Sequence, residues 1–66
     1  MKIKVIMDGK ERTISLDEGS TILDALNVSG TEKNEVLTFK GGELMPFDEA
    51  VREGDEIEVM RVVTGG

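Results

Sequence analysis

GDEIEVMRVVTGG, residues 54–66, is the stretch whose reading decides the fold. Glu53-Gly54-Asp55 carries turn chemistry. Residues 56–63, EIEVMRVV, then form the longest strand-like run in the chain. Ile57 and Val59 share one face at period two, with Glu56 and Glu58 on the other. Beyond them Met60 and Val62 continue the outward phase although they are apolar. Arg61 takes the inward phase, where a charge cannot stay buried without a partner. The expectation is that the sheet stops covering the core near residue 60 and the strand end projects. After Val63 only Thr64, Gly65 and Gly66 follow, and no further element.

Working outward from this strand, residues 2–7 alternate, with Ile3, Val5 and Met7 on one face. Asp8-Gly9-Lys10-Glu11 is turn chemistry. Residues 12–16 alternate again through Ile14 and Leu16. Pairing Val5 with Ile14 and Ile3 with Leu16 gathers the apolar groups on one side of a hairpin. Asp17-Glu18-Gly19-Ser20 interrupts the strand pattern. Thr21 with Asp24 makes a weak capping box, and Ile22, Leu23 and Leu26, with Ala25, form a narrow helical stripe. Asn27 or Gly30 ends this helix, which is too short to stand alone and must lie on the sheet.

Residues 31–35 are polar loop and 36–40, VLTFK, a strand. Gly41-Gly42 suits a two-residue hairpin turn, which sets Lys40 opposite Glu43 and Phe39 opposite Leu44 in the core. Pro46 stops a long return strand, and Asp48-Glu49-Ala50-Val51 can make one helical turn. The order is strand, strand, helix, strand, short strand, long strand. Strands with one helix on a single face predict a two-layer α+β domain.

The totals narrow what such a domain can do. The chain has 66 residues, 38% of them hydrophobic and 33% charged, with no Cys and no His. This is one small domain, with aliphatic side chains and two aromatics, Phe39 and Phe47, to fill its core. A core of this size leaves little room for an enclosed substrate pocket of some 300–1,000 Å³. Without Cys or His there is no disulfide, no thiolate or imidazole metal site and no histidine base. The net charge of −6 lies mostly in residues 31–66. It disfavours phosphate backbones and favours a basic protein partner. The N-terminal stretch MKIKVIM lacks the apolar run of a signal peptide, and no stretch reaches membrane-span length. The chain reads as a cytoplasmic protein, monomeric on its own, that binds neither nucleic acid nor membrane.

The ββαββ order in 66 residues, the GDEIEV turn-to-strand stretch and the terminal Gly-Gly resemble the β-grasp sulfur carriers and ubiquitin-like modifiers. That group includes the carriers of thiamine and molybdopterin biosynthesis and the small archaeal modifier proteins. The resemblance spans the whole chain and implies a ubiquitin-like β-grasp domain over 1–63, with a mixed sheet and one main helix. Residues 64–66 would be a flexible Gly-Gly tail. It also implies that the chain is no enzyme but the substrate of one. A separate ATP-dependent activating enzyme would adenylate the Gly66 carboxylate. Sulfur from a donor would then give a thiocarboxylate, for cofactor biosynthesis or tRNA thiolation, or an amine would take the acyl group. A downstream sulfur acceptor or synthase would be the second partner. Gly66 would be the attachment point, with Thr64 and Gly65 behind it in the tail. Glycine, lacking a side chain, suits a narrow partner channel and leaves the carbonyl open to attack. Met60, Arg61, Val62 and Val63 are the candidate docking residues, since contiguous exposed apolar groups mark interaction sites. No catalytic residue of its own, no metal and no bound cofactor are expected.

Other features read more plainly. Asp48, Glu49, Glu53, Asp55, Glu56 and Glu58 form a solvated acidic face whose spacing matches no calcium loop. Gly41-Gly42 lacks the spacing of a phosphate loop. The alternative function is a non-catalytic β-grasp binding or regulatory module with no activated terminus, which the N-terminal half also resembles.

Overall fold

The computed structural model describes residues 1–62. Strand β1 (Lys2–Met7) and strand β2 (Lys10–Ser15) form a hairpin, and helix α1 (Ile22–Ser29) follows. A 3-10 turn at Lys33–Glu35 leads into β3 (Val36–Lys40), β4 (Glu43–Met45) and β5 (Glu56–Arg61). The five strands make one sheet in the order β2-β1-β5-β3-β4. β5 runs parallel to β1 and antiparallel to β3, so the sheet is mixed. With α1 on one face this is the expected two-layer α+β arrangement, and the short β4 makes the full order ββαβββ.

The β1–β2 register corrects the expected one. Ile3 pairs with Ile14 and Val5 with Arg12, two residues away from the pairing inferred above. The turn is Asp8-Gly9 alone, with φ of 54° and 75°, so Met7 already faces Lys10. Asp-Gly tolerates the two positive φ angles that match the twist of the flanking strands. A slip of two keeps every side chain on its face, so the alternation pattern could not reveal it.

The start of α1 is tied down twice. Thr21 Oγ1 accepts from the Asp24 N–H, while Asp24 Oδ2 accepts from the Thr21 N–H at 2.9 Å, completing the capping box. The free N–H groups of Ile22 and Leu23 donate to the carbonyls of Glu49 and Phe47, both at 2.9 Å. Those orphan donors need partners, and residues 46–50 supply them as a turn closed by the Glu49 N–H on the Pro46 carbonyl at 3.1 Å and bridged to Thr21 at Ala50. The helical turn expected at Asp48–Val51 does not form: the Glu49 carbonyl accepts from the Ile22 N–H and the Val51 N–H donates to the Ser20 carbonyl at 3.0 Å. Gly30 ends α1 in the left-handed region at φ 76°.

Ile22, Ala25 and Leu26 of α1 pack on Ile3, Val5, Ile14, Leu16, Val36, Val51, Ile57 and Val59 in one cluster. Met1, Met7, Met45 and Phe47 flank it. Phe39 does not belong to it. The Gly41-Gly42 turn does set Lys40 opposite Glu43 and Phe39 opposite Leu44, but this pair lies on the open face. Val36 and Thr38 take the inward phase of β3, and the buried Thr38 hydroxyl donates to the Met45 carbonyl at 2.9 Å.

The end of β5 also differs from expectation. Arg61 still pairs with Val36, and the Val62 N–H donates to the Glu35 carbonyl at 2.8 Å. Sheet pairing continues because the residues that open β3 reach that far. Arg61 keeps the inward phase without being buried, and its Nε lies 3.7 Å from Asp8 Oδ2, both side chains largely exposed. Such a surface pair contributes little.

Candidate docking face

The face of the sheet away from α1 carries a run of apolar groups in place of the usual polar ones. Leu37 lies directly across from Met60, and Phe39 lies between Leu44 and Glu58. Leu37, Leu44, Met60 and Val62 are 43%, 59%, 52% and 43% exposed. Phe39 is half-buried among them. A shallow cleft lined by Leu37, Leu44, Met45, Pro46 and Phe47 carries the apolar surface round the β4 edge. An apolar patch of this kind is the usual mark of an interaction site.

The rest of the same face is charged. Ile6 lies between Glu58 and Glu11, and Lys4 between Glu56 and Thr13. Lys4 Nζ and Glu56 Oε1 are 3.9 Å apart on largely exposed side chains. The face thus offers an apolar half on β3, β4 and the end of β5, bordered by Glu56 and Glu58. A partner with apolar groups beside basic ones complements it.

The candidate residues divide. Met60 and Val62 are exposed and near Leu37, as their outward phase predicted. Arg61 has the opposite phase and lies near Met7, Ser29, Gly30 and Glu35, beyond the end of α1. Val63, Thr64, Gly65 and Gly66 lie outside the described residues, so the expectations placed on them meet no geometry. Leu37 and Leu44 were missed. A signal was present in the hairpin register, which put Phe39 and Leu44 together, but the inward phase of β3 was assigned to the wrong alternate set.

Part of the acidic cluster serves as turn anchors as well as solvated face. Both Glu53 carboxylate oxygens accept from the Lys2 N–H at 3.1 Å. Asp55 Oδ2 accepts from the Arg52 N–H at 2.8 Å and lies 3.1 Å from Lys40 Nζ. Partial burial of Asp55 pushes its pKa up. The Arg52 N–H bond and the Lys40 ammonium outweigh this and hold it below the usual aspartate range. Among the described residues no group of three or more carboxylates is placed to hold a metal ion, and no helix is long and apolar enough to cross a membrane.

The family model for small archaeal modifier protein 2 matches residues 1–63. Among solved structures, small archaeal modifier protein 1 of Haloferax volcanii superposes with a TM-score of 0.78 at 19% identity, covering 100% of both chains. The ubiquitin of Caldiarchaeum subterraneum gives a TM-score of 0.73 at 17% identity, covering 100% of this chain and 98% of that one. A thiamine biosynthesis protein of Geobacter metallireducens gives 0.67 at 24% identity, covering 96% and 99%. At these identities the likeness is one of fold, and it is the ubiquitin-like β-grasp.

Proposed function

Since the chain belongs to the small archaeal modifier protein 2 family, we propose that it is a carrier whose Gly66 carboxylate is charged by a separate activating enzyme. A carboxylate oxygen of Gly66 attacks the α-phosphorus of ATP, and pyrophosphate leaves. The resulting acyl adenylate is opened by a sulfur nucleophile, with loss of AMP, to give a thiocarboxylate or thioester. A lysine amine can then take the acyl group, or a downstream synthase the sulfur. The partner supplies the catalytic groups and the ATP site, and this chain supplies the docking face and the carboxylate.

One observation carries the proposal: the apolar half of the open face takes in the end of β5, the last strand before Gly65 and Gly66 in the sequence. Leu37, Leu44, Met60 and Val62 lie exposed along it. A partner seated there is in position to receive the residues that follow Val62. The bordering Glu56 and Glu58 favour a basic rim on that partner.

The test uses ATP–pyrophosphate exchange with the activating enzyme and two variants. Removal of Gly66 leaves binding intact and abolishes exchange, while Met60→Glu weakens binding and leaves the fold intact by circular dichroism. Partner binding that is unchanged by loss of both glycines, with no exchange supported by the intact chain, would instead favour a binding module without an activated terminus.

A further inference from the structure

The chain is poor in oxidisable side chains. It has no Cys, His, Trp or Tyr, and all its sulfur lies in four methionines, Met1, Met7, Met45 and Met60. All four are among the described residues, and the fold treats them differently. Met1, Met7 and Met45 are partly buried and pack against the hydrophobic core. Met60 alone of the four is exposed.

Met60 is open on two sides. Across the strands it faces Leu37, itself in water. Beside it a shallow hollow runs between the Asp8-Gly9 turn and the end of β5, walled by Glu58 and Arg61. A thioether is oxidised through a sulfur lone pair, so an oxidant reaches the most accessible sulfur first. The sulfur that is easiest to reach is thus also in the middle of the apolar half of the open face.

We propose that Met60 is a reversible oxidation site, at which a hydroperoxide turns the thioether into a sulfoxide and so weakens the docking face. The proposal rests on the docking reading of that face. In the step, the Met60 Sδ lone pair attacks a peroxide oxygen. The S–O bond forms as the O–O bond breaks, and the sulfur gives up two electrons. The oxygen that leaves takes the remaining proton and departs as water or an alcohol. A dithiol-dependent reductase reverses the change: two thiols become a disulfide, and the oxygen leaves as water.

The consequence differs between the free and the docked chain. In the free chain the sulfoxide is hydrated, and β5 keeps its backbone pairing, so the fold is retained. Against an apolar partner the S=O dipole must shed its water beside Leu37, which offers no hydrogen-bond donor in exchange. Oxidation of Met7 or Met45 acts elsewhere. Both pack on the core, where a new polar group costs stability.

The experiment treats the full chain alone with hydrogen peroxide, removes the peroxide, and then measures affinity for the activating enzyme. Peptide mapping by mass should place the first added oxygen on Met60, ahead of the other three methionines. The singly oxidised chain should keep its circular dichroism spectrum and bind about tenfold or more weakly. Methionine sulfoxide reductases with dithiothreitol should restore the affinity. Met60→Leu should have the same affinity before and after peroxide. Three results would each overturn the proposal: another methionine oxidised ahead of Met60, a Met60 sulfoxide that leaves affinity unchanged, or an equal loss of affinity in peroxide-treated Met60→Leu. Met60→Glu separates this proposal from the reading beneath it. If Met60→Glu weakens binding and the sulfoxide does not, the docking face stands and the oxidation site falls. If neither change weakens binding, both fall.

Discussion

The two faces of one sheet are built from alternate residues of the same strands, yet they do different things. On the helix side, Ile3, Val5, Ile57 and Val59 are at most 3% exposed, and Thr38 fills its slot with its hydroxyl bonded. On the open side, Leu37, Leu44 and Met60 are about as apolar but remain in water. Apolar area removed from water on folding stabilises the fold. Apolar area left exposed does not, and is available to a partner. The contrast separates the residues that stabilise this small domain from those left available to the proposed partner.

The sharpest way to break this contrast is to truncate one residue on each face. Ile57→Ala should lower the unfolding free energy by about 2–5 kcal/mol, enough to unfold much of a domain this size. Ile57→Val, at about 0.5–1.5 kcal/mol, keeps the comparison measurable by urea denaturation. Next in size is Thr38→Val, the polar exception on the core face. Its methyl fits the slot but leaves the Met45 carbonyl without its donor, at a cost of about 1–3 kcal/mol.

Asp55 sharpens the account at the rim of the core. Its pKa is lowered in the fold, so its stabilisation is present above the ordinary aspartate pKa and is lost as pH falls through the folded value. Asp55→Asn should therefore unfold at lower urea than the native chain near neutrality. The gap should close in the acid range below about pH 4. A gap that is constant with pH would assign the effect to packing alone. Smallest of all, Leu37→Ala should change stability by no more than about 0.5 kcal/mol. A loss as large as that of Ile57→Ala would mean that the open face is structural.

What was legible in the sequence follows from the range of the forces involved. The α1 capping box and the Gly41-Gly42 turn depend on near neighbours and were read correctly, and of the two helix stops left open, Asn27 and Gly30, the structure selects Gly30. The β1–β2 register was not, because a two-residue slip leaves the faces unchanged. The phase of β3 was ambiguous because Val36, Leu37 and Phe39 put apolar groups on both faces, and only packing around Thr38 selects one. Asp48–Val51 read locally as one helical turn, but Glu49 and Val51 bond instead to Ile22 and Ser20 at the start of α1. At the candidate docking face, Met60 and Val62 stood out by breaking the alternation of β5. Leu37 and Leu44 looked like ordinary strand residues.

The most direct measurement is the intact mass of this chain after incubation with its activating enzyme, ATP and a sulfur donor. The account predicts that one oxygen is replaced by sulfur, localised to Gly66 by fragmentation and absent when ATP is withheld. A chain that stays at its unmodified mass, while a related carrier is converted under the same conditions, would contradict it.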